Sequence, residues 1–324
     1  MRVFLTGASG FIGGHLARAL AARGHEVTEL WRRPCPDPAR RVVGGDLRRI
    51  EDFASALGGC DAVVHAAAVL DPVATEEEAN EVNRHGTVRL GHAAAARGVR
   101  RFVFLSSAAV IGSPPASGIA RADTPCAPVT AYGRSKRAAE IELLDERDQE
   151  ALRGLRVVVV RPPTVYGPGE ARNFLELTRA IDRRLFVVPG RGHNRMSFCH
   201  VDNLVSALLL AVEHEAAKGI LHVADAENVT LRLAAETIAA ALERRLLPLP
   251  FPMPLARAAA LACEVAARPL GLRPPLSRAR LATLTTDLAL DLSEARDLGY
   301  EPPVRFADGV KQTIEWYRET GSMG

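Results

Sequence analysis

Through the first half of the chain, short runs of apolar, β-favouring residues alternate with stretches whose apolar positions recur every three or four residues. This pattern predicts strands at 2–6 (RVFLT), 26–30 (EVTEL), 41–45 (RVVGG), 61–67 (DAVVHAA), 101–107 (RFVFLSS) and 156–161 (RVVVVR). Between them it predicts helices near 11–22, 50–57, 79–97 and 131–149. Strands that are apolar almost throughout, separated by helices, imply an α/β fold: a doubly wound parallel sheet covered on both faces. Beyond about residue 165 the alternation loosens. "VYGPGEARNFLELTRAI" reads as a loop then a helix, "RMSFCHVDNLVSALLLAVEHE" as a strand then a long helix, and "GILHVA" (219–224) as one more strand. From 228 onward the pattern is mostly helical, interrupted by the proline cluster "PLPFPMP" (248–254). The expected division is a sheet domain over 1–165, rejoined by 196–216, and a smaller, mostly helical C-terminal substrate region from 166–195 and 217–324.

The first strand leads into "TGASGFIGGHLARAL", with glycines at 7, 10 and 13. Strand, glycine turn and helix in that order form the context of a Rossmann dinucleotide fingerprint. Gly7 makes the tight turn, Gly10 lets the backbone approach a pyrophosphate, and Gly13 lets the helix pack closely. The N–H groups around Ser9, Gly10, Phe11 and Ile12, at the positive end of the helix dipole, then face the phosphates.

Composition narrows the function classes. The 324 residues are 48% hydrophobic, enough for a sizeable core. The 41 basic residues against 38 acidic ones leave +3, scattered along the chain, which argues against nucleic acid as a partner. Five cysteines (35, 60, 126, 199 and 263) are widely spaced without a CxxC pair, as expected of reduced thiols in a cytoplasmic protein. No apolar run is long enough for an integral membrane segment, and neither His65, His193 nor the other histidines have metal-ligand spacing, so no metal is expected.

The spacing TGxxGxxG resembles the short-chain dehydrogenase/reductase superfamily, and further motifs follow in that family's order. These are "GGDLRR" (44–49), "VVHAAA" (63–68), "NEVNRHGTVRLGHAA" with Asn83, Gly86 and Thr87, "RFVFLSSAAVIG", "YGRSK" and "RPPTVYGP". Together they resemble the extended subgroup, the NAD-dependent epimerase/dehydratase superfamily, and particularly its 3β-hydroxysteroid dehydrogenase-like branch. The resemblance implies that Asp46 and Leu47 contact adenine. It also implies that Ala66, Ala67 and Ala68 lie beside the pyrophosphate and ribose, and that Asn83 supports the site from behind. Pro162 through Val165 are expected to pass the nicotinamide, and a homodimer through the helices near 79–97 and 131–149 is expected as in relatives.

The end of the second strand, "EVTELWRRP", carries no carboxylate at its tip but Arg32 and Arg33. Two guanidiniums suit an adenosine 2′-phosphate, so NADP is expected over NAD; the alternative is that both arginines are solvated loop residues. Glu29 is read as pointing away from the ribose or out to solvent.

Tyr132 and Lys136 stand four residues apart, on one helix face. An ammonium nearby, with an oxidised nicotinamide, is expected to lower the phenol from its usual pKa of about 10 towards a usable acid/base. Family alignment assigns the third catalytic position to Ser107, with Ser106 as rival, because alternation points one of the two into the sheet packing. Ala108 and Ala109 follow where a sugar dehydratase would need an acid and a fucose-synthase-like epimerase a cysteine. Met196 stands where UDP-sugar epimerases typically carry a diphosphate-binding arginine, with Arg191 and Arg195 close in sequence.

The reading is a hydride transfer between NADP (NAD possible) and the carbonyl or alcohol of a hydrophobic small molecule, such as a steroid or 3-keto acid. The alternatives are a nucleotide-sugar epimerase or reductase, and a non-catalytic NADP-binding regulator. Asp202 is read as an N-cap-region residue, and His200 with it as non-catalytic. Arg257, Glu264 and Arg268 form one polar stripe on an otherwise apolar helix, which is left as a core or subunit contact, a pocket wall or a peripheral membrane face.

Overall fold

The computed structural model describes residues 1–70, 75–112, 114–145, 151–246, 251–268 and 276–323. Seven parallel strands form the central sheet: β1 (Arg2–Thr6), β2 (Glu26–Trp31), β3 (Arg41–Gly44), β4 (Ala62–His65), β5 (Arg101–Leu105), β6 (Arg156–Arg161) and β7 (Gly219–His222). Their order is β7-β6-β5-β4-β1-β2-β3. The chain winds outward from β1 through β2 and β3, then crosses to the other side of β1 and continues from β4. That reversal opens a crevice at the carboxyl ends of β1 and β4, where Thr6 and His65 are in register.

Both faces of the sheet are covered, as its apolar strands require. Val3, Leu5, Val64, Val103 and Val158 pack with Leu16 and Leu20 of the helix Phe11–Ala22 and with Leu204 and Leu208 of Val201–Glu213. Phe4, Val63, Phe102, Phe104 and Val159 face the other way, onto Leu90 of Thr87–Ala96 and Ala139 and Leu143 of Ala131–Leu144. A third core gathers Tyr166, Phe174, Phe198, Ile238, Phe306 and Tyr317 beneath the helices Asn173–Asp182, Leu231–Ala241 and Phe306–Glu319.

Several local expectations are corrected. Residues 50–57 form two short 3₁₀ turns, Ile50–Asp52 and Ala54–Leu57, each too brief for an α-helix. The helix expected over 79–97 begins with Thr75 and Glu78 in a reciprocal capping box, then widens into a π-helical turn over Asn80–Gly86. The wide turn brings Gly86 close to Leu47, where a Cβ would stand 3.1 Å from the Leu47 side chain. The helix expected over 131–149 is seen as Ala131–Leu144, and 146–150 lie outside the described residues. β4 and β5 end at His65 and Leu105, because the residues after each leave the sheet to build the crevice rim. β7 joins the main sheet by pairing with β6, so the chain returns to the sheet beyond the 196–216 segment, at residues placed by the sequence division in the smaller region.

The helix Met253–Ala267 buries Ala256, Ala260 and Ala267. Glu264 on its polar stripe accepts 2.8 Å bonds from the backbone N–H and Nε of Arg278, which ties it to the helix Arg278–Thr285. Leu255, Leu261 and Val265 of the same helix are exposed. His200, not Asp202, caps Val201–Glu213: its Nδ1 accepts from the Asp202 N–H at 3.3 Å. Among the described residues no helix is long and apolar enough to cross a membrane.

Gly7 has φ +80°, and a Cβ there would lie 2.7 Å from the Ala66 carbonyl carbon and the Ala67 nitrogen. Gly7→Ala is therefore expected to cost more than about 2 kcal/mol, from left-handed strain plus backbone overlap. Thermal unfolding of the variant beside Gly24→Ala, which has φ +79° but open space around it, separates the overlap from the strain.

Candidate active site

At the turn after β1, Gly13 seats the helix on the loop: a Cβ there would lie 2.0 Å from the Gly7 carbonyl oxygen. The result is a cleft of about 420 Å³ lined by Ser9, Gly10, Phe11, His15, Arg18, Trp31 and Arg40, among others. The small residues Ala8, Ser9 and Gly10 of the turn and the helix N-terminus that follows them fit the pyrophosphate and adenosine of a dinucleotide.

Loop 66–69 is held at the rim by a directed hydrogen-bond chain. The Ala67 N–H donates to Thr6 Oγ1 at 3.2 Å, and Thr6 Oγ1 lies 2.7 Å from His65 Nδ1. On the other side His65 Nε2 is 2.9 Å from Thr87 Oγ1, whose hydroxyl donates to the Asn83 carbonyl at 2.8 Å. Thr87 thus accepts from Nε2–H, which leaves Nδ1 as the acceptor for Thr6. Burial, with the nearby Lys136 adding to it, holds the imidazole pKa well below its usual value, so the ring is neutral. Asn83 completes the latch: its side chain pairs with both the N–H and the C=O of Val69, at 2.7 and 3.0 Å, and donates to Ser135 Oγ at 3.2 Å. Thr6 and His65 were not singled out by the sequence for this work, although the strand-end pairing of two polar residues in apolar strands was the available signal.

The second strand's tip differs from expectation. Glu29 is buried, accepting from Trp31 Nε1 at 2.8 Å and from Arg40 Nη1 at 3.0 and 3.1 Å. It does not point to solvent; Arg40 and the indole enclose it. Arg32 and Arg33 are exposed and do not line the cleft, and no ion pair to either is present among the described residues. Arg18 and Arg40, which do line it, were missed. Asp46 accepts from the Arg48 N–H at 2.9 Å, and Leu47 turns its side chain into the core.

At the end of β5 the two serines divide as alternation requires. Ser106 is buried and donates to Glu140 Oε1 at 2.6 Å. Ser107 is half-buried, its hydroxyl accepting from the Ala109 N–H at 3.1 Å and standing as the polar group that acts on the phenol of Tyr132. Tyr132 and Lys136 lie in the first turn and a half of Ala131–Leu144, whose N-cap Thr130 accepts from the Gly133 N–H at 3.0 Å. Gly133 is needed there, since a Cβ would meet the Ala109 carbonyl at 2.6 Å. Pro162 approaches the same rim, its carbonyl accepting from Ala108 N–H at 2.8 Å, and Val165 continues in the short strand Thr164–Tyr166.

The expected acidification of Tyr132 is not a property of the protein alone. Burial pushes the phenol up to about 12, and the Ser107 hydroxyl only partly opposes this. The amine of Lys136 is itself pushed down to about 7 by burial, against the pull of Glu140. Its Nζ donates to the Leu105 carbonyl at 2.8 Å and lies 4.5 Å from the centre of the Phe104 ring. Burial thus leaves Tyr132 a firmly protonated phenol at neutral pH.

The match to the family model described as "NAD dependent epimerase/dehydratase family" spans residues 3–224. With the parallel sheet, glycine turn and Ser–Tyr–Lys cluster already in place, the chain belongs to that family, the extended short-chain dehydrogenase/reductases, and is an enzyme. It is similar to a 3-beta-hydroxysteroid dehydrogenase of Mycolicibacterium neoaurum, 28% identical over 98% of this chain and 92% of the relative. It is also similar to a 4-hydroxy-2-methyl-3-oxo-4-farnesyl-3,4-dihydroquinoline-1-oxide ketoreductase of Stigmatella aurantiaca, 30% identical over 100% of this chain and 98% of that one. Among solved structures, MoeE5 in complex with UDP-glucuronic acid and NAD superposes with a TM-score of 0.77 at 27% identity, covering 99% of this chain and 100% of that one.

The depressed folded-state pKa of Lys136 has a stability consequence. The unfolded chain, with a lysine near 10.4, binds more protons than the folded one between pH 7 and that value, so this group contributes stability that rises with pH across the window, at up to about 1.4 kcal/mol per unit. Lys136→Met is expected to lack that rise. Denaturant unfolding of both proteins from pH 7 to 10 measures the difference.

Proposed function

We propose that the enzyme is an NADP-dependent reductase of hydrophobic ketones, run through Ser107, Tyr132 and Lys136 as catalytic residues. The observation that carries this reading is the meeting of the three groups at the end of β5: Ser107 follows that strand, Tyr132 and Lys136 lie one helical turn apart on the helix Ala131–Leu144, and Lys136 Nζ reaches the Leu105 carbonyl, two residues before Ser107, at 2.8 Å. A bound reduced nicotinamide supplies the hydride. Tyr132 holds its proton at Oη and donates it to the oxygen that becomes the alcohol, while Ser107 orients that oxygen and stabilises its developing charge. Lys136, one of whose Nζ–H groups already donates to the Leu105 carbonyl, would hold the cofactor's ribose with another. Hydride loss from an alcohol is the same path reversed.

Support for a hydrophobic substrate is local. Ala108 and Ala109 offer no proton donor or thiol beside Ser107. Met196 packs against the third core, and neighbouring Arg195 is engaged by Asp287 and the Ser117 carbonyl. The ketoreductase and steroid dehydrogenase relatives act on apolar molecules by their names. The likeness to MoeE5 with UDP-glucuronic acid supports the second reading, a nucleotide-sugar epimerase or reductase. NADP preference in this reading rests on Arg32 and Arg33, exposed outside the cleft but directly after Trp31, which lines it with Arg18 and Arg40. The division into a dinucleotide-binding part and a substrate-binding part built from 166–195 and the C-terminal helices belongs to the same reading, as does a cytoplasmic homodimer.

Screening NADPH absorbance loss against 3-keto acids, steroid ketones and nucleotide-keto-sugars is expected to show stoichiometric oxidation with the first two. Sugar interconversion without net oxidation would overturn the reading in favour of the epimerase. Tyr132→Phe is expected to lower kcat by at least about a thousandfold while leaving NADPH affinity near wild type; full activity would remove Tyr132 as proton donor. Arg32→Ala is expected to weaken NADPH about tenfold or more relative to NADH, read by equilibrium fluorescence titration with both cofactors.

A further inference from the structure

Beneath the proposed site lies a buried ion pair that the chemistry does not touch. Glu140 and Arg161 are both fully buried, and their side chains meet in a two-point fork: Nε to Oε1 at 2.8 Å and Nη2 to Oε2 at 2.6 Å. Ser106 donates to the same Oε1 at 2.6 Å, and Arg137 reaches Oε2 at 3.1 Å from the half-exposed side. A buried ion pair gives little net stability against an apolar replacement of the same shape, but it fixes geometry strongly. Here it meets three elements at one carboxylate. Glu140 is one helical turn beyond Lys136 and two beyond Tyr132. Ser106 immediately precedes Ser107, and Arg161 immediately precedes Pro162. Backbone bonds from Ser106 N–H to the Val160 carbonyl and from Ala108 N–H to the Pro162 carbonyl, both 2.8 Å, lace the two strand ends on either side of the pair.

We infer that Glu140, with Arg161 and Ser106, is a positioning node that sets the distance between the Ser107 hydroxyl, the Tyr132–Lys136 helix face and the Pro162–Val165 wall. The inference rests on the reductase reading of Ser107, Tyr132 and Lys136. Because Ser106 and Ser107 are adjacent on an extended backbone, a shift of the first side chain turns the second away from Tyr132. Misplacement of this size is costly, since catalytic groups tolerate about half an ångström. The carboxylate has a second effect through space: it pulls the Lys136 pKa upward. The titratable groups that interact with Lys136 are Glu140 on its own helix and the neutral His65 on β4, so Glu140 is the carboxylate of the pair.

The test uses the full-length protein with NADPH bound, in three variants: Ser106→Ala, Ser106→Thr and the paired Glu140→Gln/Arg161→Gln, which removes the charges while keeping both side chains able to hydrogen-bond. The chain has lysines only at 136, 218 and 311, so selective lysine labelling gives three side-chain resonances, and the one lost in Lys136→Met is followed against pH. Expected are a kcat about tenfold lower in Ser106→Ala, restored in Ser106→Thr, and about a hundredfold lower in the paired variant. NADPH affinity is expected within about twofold of wild type throughout, and the Lys136 midpoint about one pH unit lower in the paired variant only. Folded variants that bind NADPH and keep wild-type kcat overturn the node. If the paired variant fails to fold, Ser106→Ala and its rescue decide alone. Should the wild type reduce no carbonyl probe, the reductase reading fails, and an unchanged Lys136 midpoint in the paired variant then overturns the node separately.

Discussion

The structure depends on one constraint, the near-contact of two backbones at the switch point of the sheet. The turn after β1 and the loop after β4 approach so closely at Gly7 and Ala66 that no Cβ fits between them. The helix after that turn sits equally close at Gly13. These approaches keep the helix N-terminus at the floor of the crevice and leave room above it for a ligand. The hydrogen-bond chain from Ala67 through Thr6, His65 and Thr87 to Asn83 then transmits the same placement across the sheet. A neutral imidazole suits this task, because a charged one in that apolar setting would have no counter-ion.

Behind the crevice rim the molecule concentrates polar groups that most cores exclude. Glu140, Arg161, Ser106, Lys136, His65 and Asn83 are all buried, and all lie at the carboxyl ends of β4, β5 and β6 or on the helices packed there. Apart from Arg161, each has its polar side-chain atoms accounted for by partners among these elements. A second buried cluster joins Tyr166, Asp225, Asn203 and His200, and ties the short strand Thr164–Tyr166 to the helix Val201–Glu213 and, through the Phe306 carbonyl, to Phe306–Glu319. Burial raises Asp225 to about 6 despite the three donors around it. Directional bonds thus set the geometry of both buried networks.

Much of this was legible in the sequence. The apolar strands and the period of the intervening helices gave the sheet, its parallel sense and its first six strands, since burial on both faces leaves a plain mark on composition. Strand alternation shows that one of Ser106 and Ser107 turns into the packing, and the family position before "AAV" singles out Ser107 as the other. What was not legible depends on contacts between distant residues. Glu29 reads as pointing away from the ribose or out to solvent, and its burial is not legible because Arg40, which encloses it, is eleven residues away on the next strand's approach. The i, i+4 spacing suggests that the ammonium, with an oxidised nicotinamide, acidifies the Tyr132 phenol, but it says nothing of the burial that pushes the phenol up or of the Leu105 carbonyl that accepts a hydrogen bond from Lys136 Nζ. The π-helical turn at Asn80–Gly86 reads as ordinary helix in sequence, because its cause is the closeness of Gly86 to Leu47.

The seventh strand carries a consequence for how the chain acquires its shape. Gly219–His222 completes the sheet by pairing along Val158–Arg161, some sixty residues earlier in sequence. Until that segment emerges during synthesis, β6 presents a row of valines and unpaired amides along an open margin, the kind of edge that recruits other chains. The nascent protein therefore passes through an interval of association risk that closes only when its last sheet strand docks, and fragments ending before residue 219 retain that risk indefinitely.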